Sequence, residues 1–170
     1  MSKPKFTVRE LSIAAIIAAV YAILTAFLPI PQYGGVQLRV AEAMTVLPFL
    51  LPEAIPGLAV GCFLANLRSP FVLDWVLGTA ATLLAALWVS RLRHKWLTPL
   101  PPVLCNSLII GAEIAWLSVG EGAPFLPAFF MNALSVGLGE LIACAALGLP
   151  LLHWVSRSSA LKPYITLKAM

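Results

Sequence analysis

The sequence predicts an all-α integral membrane protein, a bundle of six transmembrane helices forming one domain over residues 1–170. Three observations lead there. Hydrophobic residues make up 61% of the chain and charged ones 11%, with a mean hydropathy of +0.95, whereas soluble domains carry about a quarter charged residues. Proline and glycine interrupt the apolar runs at intervals near the roughly 20 residues that a spanning helix takes. The basic residues are confined to alternate ends of those runs. The same composition excludes an ordinary soluble enzyme and a disordered chain. No G-x-x-x-x-G-K motif is present, so the chain has no Walker-type ATP site.

The first span is expected over about 8–28, stopped by Pro29 and Pro31. The second covers about 37–51 and the third about 54–66, after the Pro52-Glu53 turn. Both are short for a bilayer and contain Pro48 and Pro56, so a tilted, kinked or re-entrant course is expected there. The fourth covers about 72–94 after Pro70, and the fifth about 100–118, opened by Pro99, Pro101 and Pro102. The sixth covers about 125–156. The run over residues 1–28 is long for a signal peptide, and further spans follow it.

Six spans put both termini on one side of the membrane. Lys3, Lys5, Arg9, Arg91, Arg93, Lys95, Arg157, Lys162 and Lys168 then share that side, and only Arg39 and Arg68 fall towards the other. The basic side is expected to be cytoplasmic, in the cell membrane. The net charge of +4 reports this topology rather than nucleic-acid binding. On the opposite side, the connection Pro31-Gln32-Tyr33-Gly34-Gly35 is uncharged and suits a lid.

Cys62, Cys105 and Cys144 lie far apart in apolar runs without a C-x-x-C pair or a histidine partner, so they read as small buried hydrophobes rather than metal ligands. His94 and His153 stand beside Trp96 and Trp154 near helix ends, as interfacial residues do.

An ionisable group inside a span is costly and marks a functional site by default. Arg39 and Glu42 fall three residues apart on one face of the second span, either as an internal ion pair or as ligand contacts. Asp74 and Trp75 open the fourth span at the level where Asn66 closes the third. The fifth and sixth spans carry a related pattern, Asn106 with Glu113 and Asn132 with Glu140, an amide and a carboxylate about two turns apart. Antiparallel packing puts Glu113 at the depth of Asn132 and Glu140 at the depth of Asn106. These layers read either as interhelical hydrogen bonds or as a binding site. Tyr33, Phe71, Trp75, Trp116, Phe125, Phe129 and Phe130 lie towards the same mouth, where a few of them can stack on a flat ligand. Carboxylates, amides and indole rings suit a planar heterocycle rich in N–H donors, such as a guanine-like edge. In the first span Ala14, Ala18 and Ala22 recur every four residues, with Ala15 and Ala19 beside them. Such spacing admits a closely packed helix, of this chain or of another subunit.

Gln37 through Phe49, with Arg39, Glu42 and Pro48, resembles the QueT family, as does Glu53 through Asn66, with Pro56, Gly57 and Gly61. The segments from Pro99 to Glu113 and from Asn132 to Glu140 resemble it too, so that the similarity covers about residues 8–155. The resemblance implies a substrate-binding S-component of an energy-coupling factor (ECF) transporter, associated with uptake of queuosine precursors, the 7-deazaguanines. It implies a six-helix bundle that binds its solute from outside and docks to a transmembrane T-component and two ATPases, which hydrolyse the ATP. It also implies docking through an A-x-x-x-A motif, here Ala14/Ala18/Ala22 or Ala15/Ala19. Neither a cofactor nor a catalytic or metal residue is expected in this chain. An S-component for another vitamin-like solute and a self-sufficient proton-coupled carrier titrating Glu140 are the rival readings. An intramembrane enzyme is disfavoured, because Glu113 and Glu140 lack a nucleophile–base pair or a metal set.

Overall fold

A computed structural model describes residues 7–28, 38–159 and 161–165 of the chain. Their regular structure is entirely helical. In chain order it comprises α1 (Val8–Phe27), a 3₁₀ helix (Val40–Phe49), α2 (Ala54–Asn66), α3 (Val72–Val89) and α4 (Leu100–Val119). Then come α5 (Phe125–Leu141), a π-helical segment (Ile142–Gly148) and α6 (Leu149–Arg157). Short 3₁₀ turns at Lys95–Leu97 and Lys162–Tyr164 complete it. Four stretches are long and apolar enough to cross a membrane: Val8–Phe27, Val72–Val89, Lys95–Val119 and Phe125–Arg157. Between 28% and 39% of each is buried within the protein, which leaves most of each surface apolar and outward-facing, as lipid contact requires.

Six spans are expected from the sequence, and two of the six helical runs are too short to count as spans by length. Ten 3₁₀ residues rise about 20 Å and thirteen α-helical ones about 20 Å, against a hydrocarbon core of about 30 Å. The expected irregularity has a physical setting. Every residue from Ala41 to Leu50 is buried, so the 3₁₀ backbone is covered by protein. Pro48 removes one helical donor, and the Thr45 hydroxyl donates to the Glu42 carbonyl at 2.6 Å, three residues back, in 3₁₀ register.

The remaining boundaries follow local chemistry. Thr7 and Glu10 form a capping box at the start of α1. The fourth helix ends at Val89 rather than near residue 94, because Ser90 Oγ and Arg91 Nη1 both donate to the Leu87 carbonyl, at 2.7 and 2.9 Å, and terminate it. The sixth run is continuous from Phe125 to Arg157, but its middle turns widen to a π-helix. The proposed lid, residues 31–35, lies outside the described residues, as do Tyr33, Lys3, Lys5 and Lys168.

Small residues set the helix pairs. A Cβ on Gly57 would come 2.6 Å from the Ala14 carbonyl oxygen, and one on Gly61 2.7 Å from that of Ala18. The Ala14/Ala18 register of α1 therefore packs on the G-x-x-x-G face of α2 within this chain. Ala15 and Ala19 are exposed, and Ala22 is half-buried. On the other side of the bundle, Gly111 of α4 meets Ala133 of α5, and Gly137 meets Ser107.

Candidate functional site

The buried polar residues gather where α1 and α2 end and where the 3₁₀ helix and α3 begin. Tyr21 and Thr25 continue the inward face of Ala14 and Ala18 by helical spacing, and both are buried. The Tyr21 hydroxyl donates to Glu42 Oε1. Glu42 is 1% exposed, and Arg39 precedes it at the cap of the 3₁₀ helix, also buried. Tyr21, Cys62, Glu42 and Asp74, in that order, are the groups that bear on the buried Arg39 electrostatically.

Asn66 closes α2 with 0% exposure. Its Nδ2 donates to the Asp74 carbonyl at 2.9 Å and to Cys62 Sγ at 3.4 Å. Gly78 makes room for this amide, since a Cβ there would stand 2.5 Å from Asn66 Nδ2. The Thr82 hydroxyl also donates to Cys62 Sγ, at 3.3 Å. Asp74, in the first turn of α3, accepts from the Ser69 hydroxyl at Oδ2. Glu113 enters from α4, 3% exposed, and the charges that act on it are Asp74 and Arg39.

Most of these groups are only partly satisfied. Thr25 Oγ1, Glu42 Oε2, Asn66 Oδ1 and Trp75 Nε1 are buried without a hydrogen-bond partner among the described residues, and the buried Glu113 carboxylate meets no donor there, only the carboxyl group of Asp74. Glu53 Oε2 shares that condition at the opposite end of the bundle. Buried polar atoms are ordinarily paired, so these unsatisfied groups make the cluster the candidate binding site. The set is mostly acceptors, with the Trp75 indole N–H as a donor.

The second layer is a different structure. Asn106 Nδ2 donates to Glu140 Oε1 at 2.9 Å, at the depth that antiparallel packing of the two spans requires. Cys144 Sγ contacts Glu140 Oε2 at 3.8 Å and donates to the Glu42 carbonyl at 3.3 Å. Asn106 and Glu140 thus join α4 to the long final run, and the π segment joins it to the 3₁₀ helix.

Two expected site residues stand apart from the cluster. The α4–α5 register does bring Asn132 level with Glu113, but its Nδ2 donates to the Ala128 carbonyl of its own helix, at 2.8 Å, and leaves Glu113 without a donor. Trp116 is 68% exposed on the outer surface of α4, three residues round the helix from Glu113. Tyr21, Thr25, Ser69 and Thr82 join the cluster although the sequence reading does not single them out, and Cys62, read there as a small buried hydrophobe, accepts hydrogen bonds within it. The face spacing of Ala14, Ala18, Tyr21 and Thr25 was the available signal for two of them. Among the described residues no group of three or more His, Cys, Asp and Glu stands together as a metal site.

Four apolar stretches of spanning length around a buried, half-satisfied polar cluster have the architecture of a multi-pass membrane protein. The model of one protein family, described as QueT transporter, matches residues 11–157, and the chain belongs to that family. This points to a transporter rather than an enzyme. No curated protein and no solved structure matches the chain.

Proposed function

We propose that this chain is the substrate-binding S-component of an ECF transporter that takes up a queuosine precursor of the 7-deazaguanine class. The observation that carries the reading is the set of orphaned acceptors on Glu113, Asn66 and Glu42 in a chain of the QueT transporter family. A guanine-like edge offers adjacent N–H donors that one carboxylate accepts in pairs, and its carbonyl accepts from an indole N–H. The proposed contacts are Glu113, Asn66, Asp74 and Trp75, with Glu42 and Arg39 behind them. Asn106 and Glu140 are assigned a structural role, and Asn132 and Trp116 a place outside the contact set.

In this reading the chain lies in the cell membrane with both termini in the cytoplasm, and the cluster opens outward. A T-component and two ATPases supply the energy, in keeping with the absence of an ATP motif here. The docking face is Ala15/Ala19, because the Ala14/Ala18 register is occupied by α2.

Titration calorimetry with 7-cyano- and 7-aminomethyl-7-deazaguanine on the purified chain tests the substrate. Glu113→Gln preserves shape, exchanges an acceptor for a donor, and is expected to cost about 2–5 kcal/mol of binding if the contact is buried. Wild-type affinity in that variant removes Glu113 from the site. Failure of both compounds to bind the unaltered protein discards the substrate.

A further inference from the structure

The Asn66 amide and the Cys62 thiol belong to a chain of hydrogen bonds whose direction is fixed at both ends. Cys62 and Asn66 stand four residues apart on one face of α2, and Gly78 and Thr82 stand four apart on the facing side of α3. Cys62 and Asn66 are fully buried, and Thr82 is 1% exposed. Asn66 Nδ2 reaches the Asp74 carbonyl at 2.9 Å and Cys62 Sγ at 3.4 Å. The Thr82 hydroxyl reaches the same sulfur at 3.3 Å, and the sulfur lies 3.6 Å from the Gly78 carbonyl.

The Asp74 and Gly78 carbonyls carry no proton, so each can only accept. The group facing Asp74 is therefore the NH₂ end of the amide, and the thiol proton points at Gly78. With its proton spent there, the sulfur accepts from Thr82 and from Asn66. A half-turn of the amide would replace two attractive contacts by lone pair against lone pair. Oδ1 is left as the open end, buried and without a partner. At this point the cluster presents an acceptor whose polarity does not reverse to suit the solute.

We propose that Asn66 Oδ1 is a specificity determinant that accepts a hydrogen bond from an N–H group of the solute, and that Cys62, held by Thr82 and Gly78, is the positioning residue that keeps this acceptor open. The proposal rests on the reading that this cluster binds the transported solute, and it deepens that reading. A solute carrying a carbonyl at that point sets one acceptor against another and is rejected, whereas an amide free to turn would tolerate it.

Titration calorimetry on the full-length protein in detergent, with 7-cyano- and 7-aminomethyl-7-deazaguanine, tests the positioning role. Cys62→Ala removes the sulfur and is expected to weaken binding about fivefold to tenfold. Cys62→Ser, whose hydroxyl both accepts and donates, is expected to stay within about threefold of the unaltered protein. In an Asn66→Ala background, Cys62→Ala is expected to cost no further affinity, which a general loosening of the bundle would not reproduce. The acceptor itself is read with 7-deazaguanine and analogues that each lack one N–H site: 7-deazahypoxanthine, without the exocyclic amine, and the two ring N-methyl derivatives. The penalty for one of these analogues is expected to shrink at least about threefold when Asn66 is replaced by alanine. Unchanged affinity in Cys62→Ala, an undiminished effect of Cys62→Ala beside Asn66→Ala, or penalties that Asn66→Ala leaves untouched for every analogue overturn the proposal.

Thermal unfolding without ligand separates this proposal from the substrate reading. The falls in melting temperature caused by Cys62→Ala and by Asn66→Ala are expected to sum to more than the fall in the double variant, because both remove the same bond. Additive falls overturn the proposal. If neither 7-deazaguanine binds the unaltered chain, the substrate reading fails, and the ligand-free melting temperatures alone decide whether Cys62 holds Asn66.

Discussion

Asn66 shows how much of the site depends on single atoms. One end of its amide is spent on Asp74 and Cys62, the other end is open, and Gly78 leaves the space in which the group packs against α3. Gly78→Ala is therefore expected to push the amide off the Asp74 carbonyl. The loss of a buried hydrogen bond costs about 1–3 kcal/mol. Both melting temperature and solute affinity should fall, although residue 78 presents no polar side chain to a ligand. An unchanged affinity would mean that Asn66 is scaffolding rather than a contact. The charged members of the cluster were legible in the sequence, because Arg39, Glu42, Asp74 and Glu113 stand in apolar runs where ionisable groups are costly. Tyr21, Cys62 and Thr82 were not, since such residues are ordinary in any buried helix face. The choice of partner for Asn132 was illegible for another reason. An asparagine can return its amide to a carbonyl four residues back, and spacing alone does not tell this from a bond across helices.

At the scale of the elements, the two irregular stretches face each other. Cys144 and Thr45 link the π segment to the 3₁₀ helix at 3.4 Å, and a Cβ on Gly148 would come 3.0 Å from the Ala43 carbonyl. The 3₁₀ helix is covered by protein, and the π segment turns Ala143, Cys144 and Gly148 inward while Ile142 and Leu147 stay exposed. Glycine and proline placement announced the breaks around the second and third runs, and the π turns carry a similar marker that the sequence reading does not use, since they close on Gly148 and Pro150 follows without a backbone donor. The α1–α2 contact is closer still. In Gly61→Leu the new side chain meets the Ala18 backbone at its first carbon, so the helices must separate. Overpacking of this kind costs about 1–3 kcal/mol or more. Gly137→Ala meets only Ser107 Cβ, at 3.3 Å, and serves as the tolerated comparison. Thermal unfolding in detergent should show a clear loss for the first variant and little for the second. Equal melting temperatures would mean that the α1–α2 interface yields without cost.

For the whole molecule, the two faces of α1 now have different roles. The sequence left open whether Ala14/Ala18/Ala22 or Ala15/Ala19 meets a partner, because every alanine in a four-residue repeat looks alike until one face is covered. Gly57 and Gly61 cover Ala14 and Ala18, while Ala15 and Ala19 stay exposed among Leu11, Ile16, Val20 and Ile23, an apolar surface suited to lipid or to another helix. In the proposed S-component reading, docking of a T-component uses the outer register. A tryptophan at Ala15 or Ala19 adds bulk only on that outer surface. Each variant is expected to fold, to keep the melting temperature of the unaltered chain and to bind solute when isolated, but to lose uptake in the assembled transporter. Ala18→Trp is expected to behave in the opposite order, destabilising the isolated chain before any partner is present, because its side chain would drive into α2. Uptake in proteoliposomes, measured beside thermal unfolding of the isolated chain, separates the two. Full uptake by both Ala15→Trp and Ala19→Trp would exclude this face of α1 as the docking surface. Intact folding of Ala18→Trp with loss of uptake alone would return the docking role to the inner register.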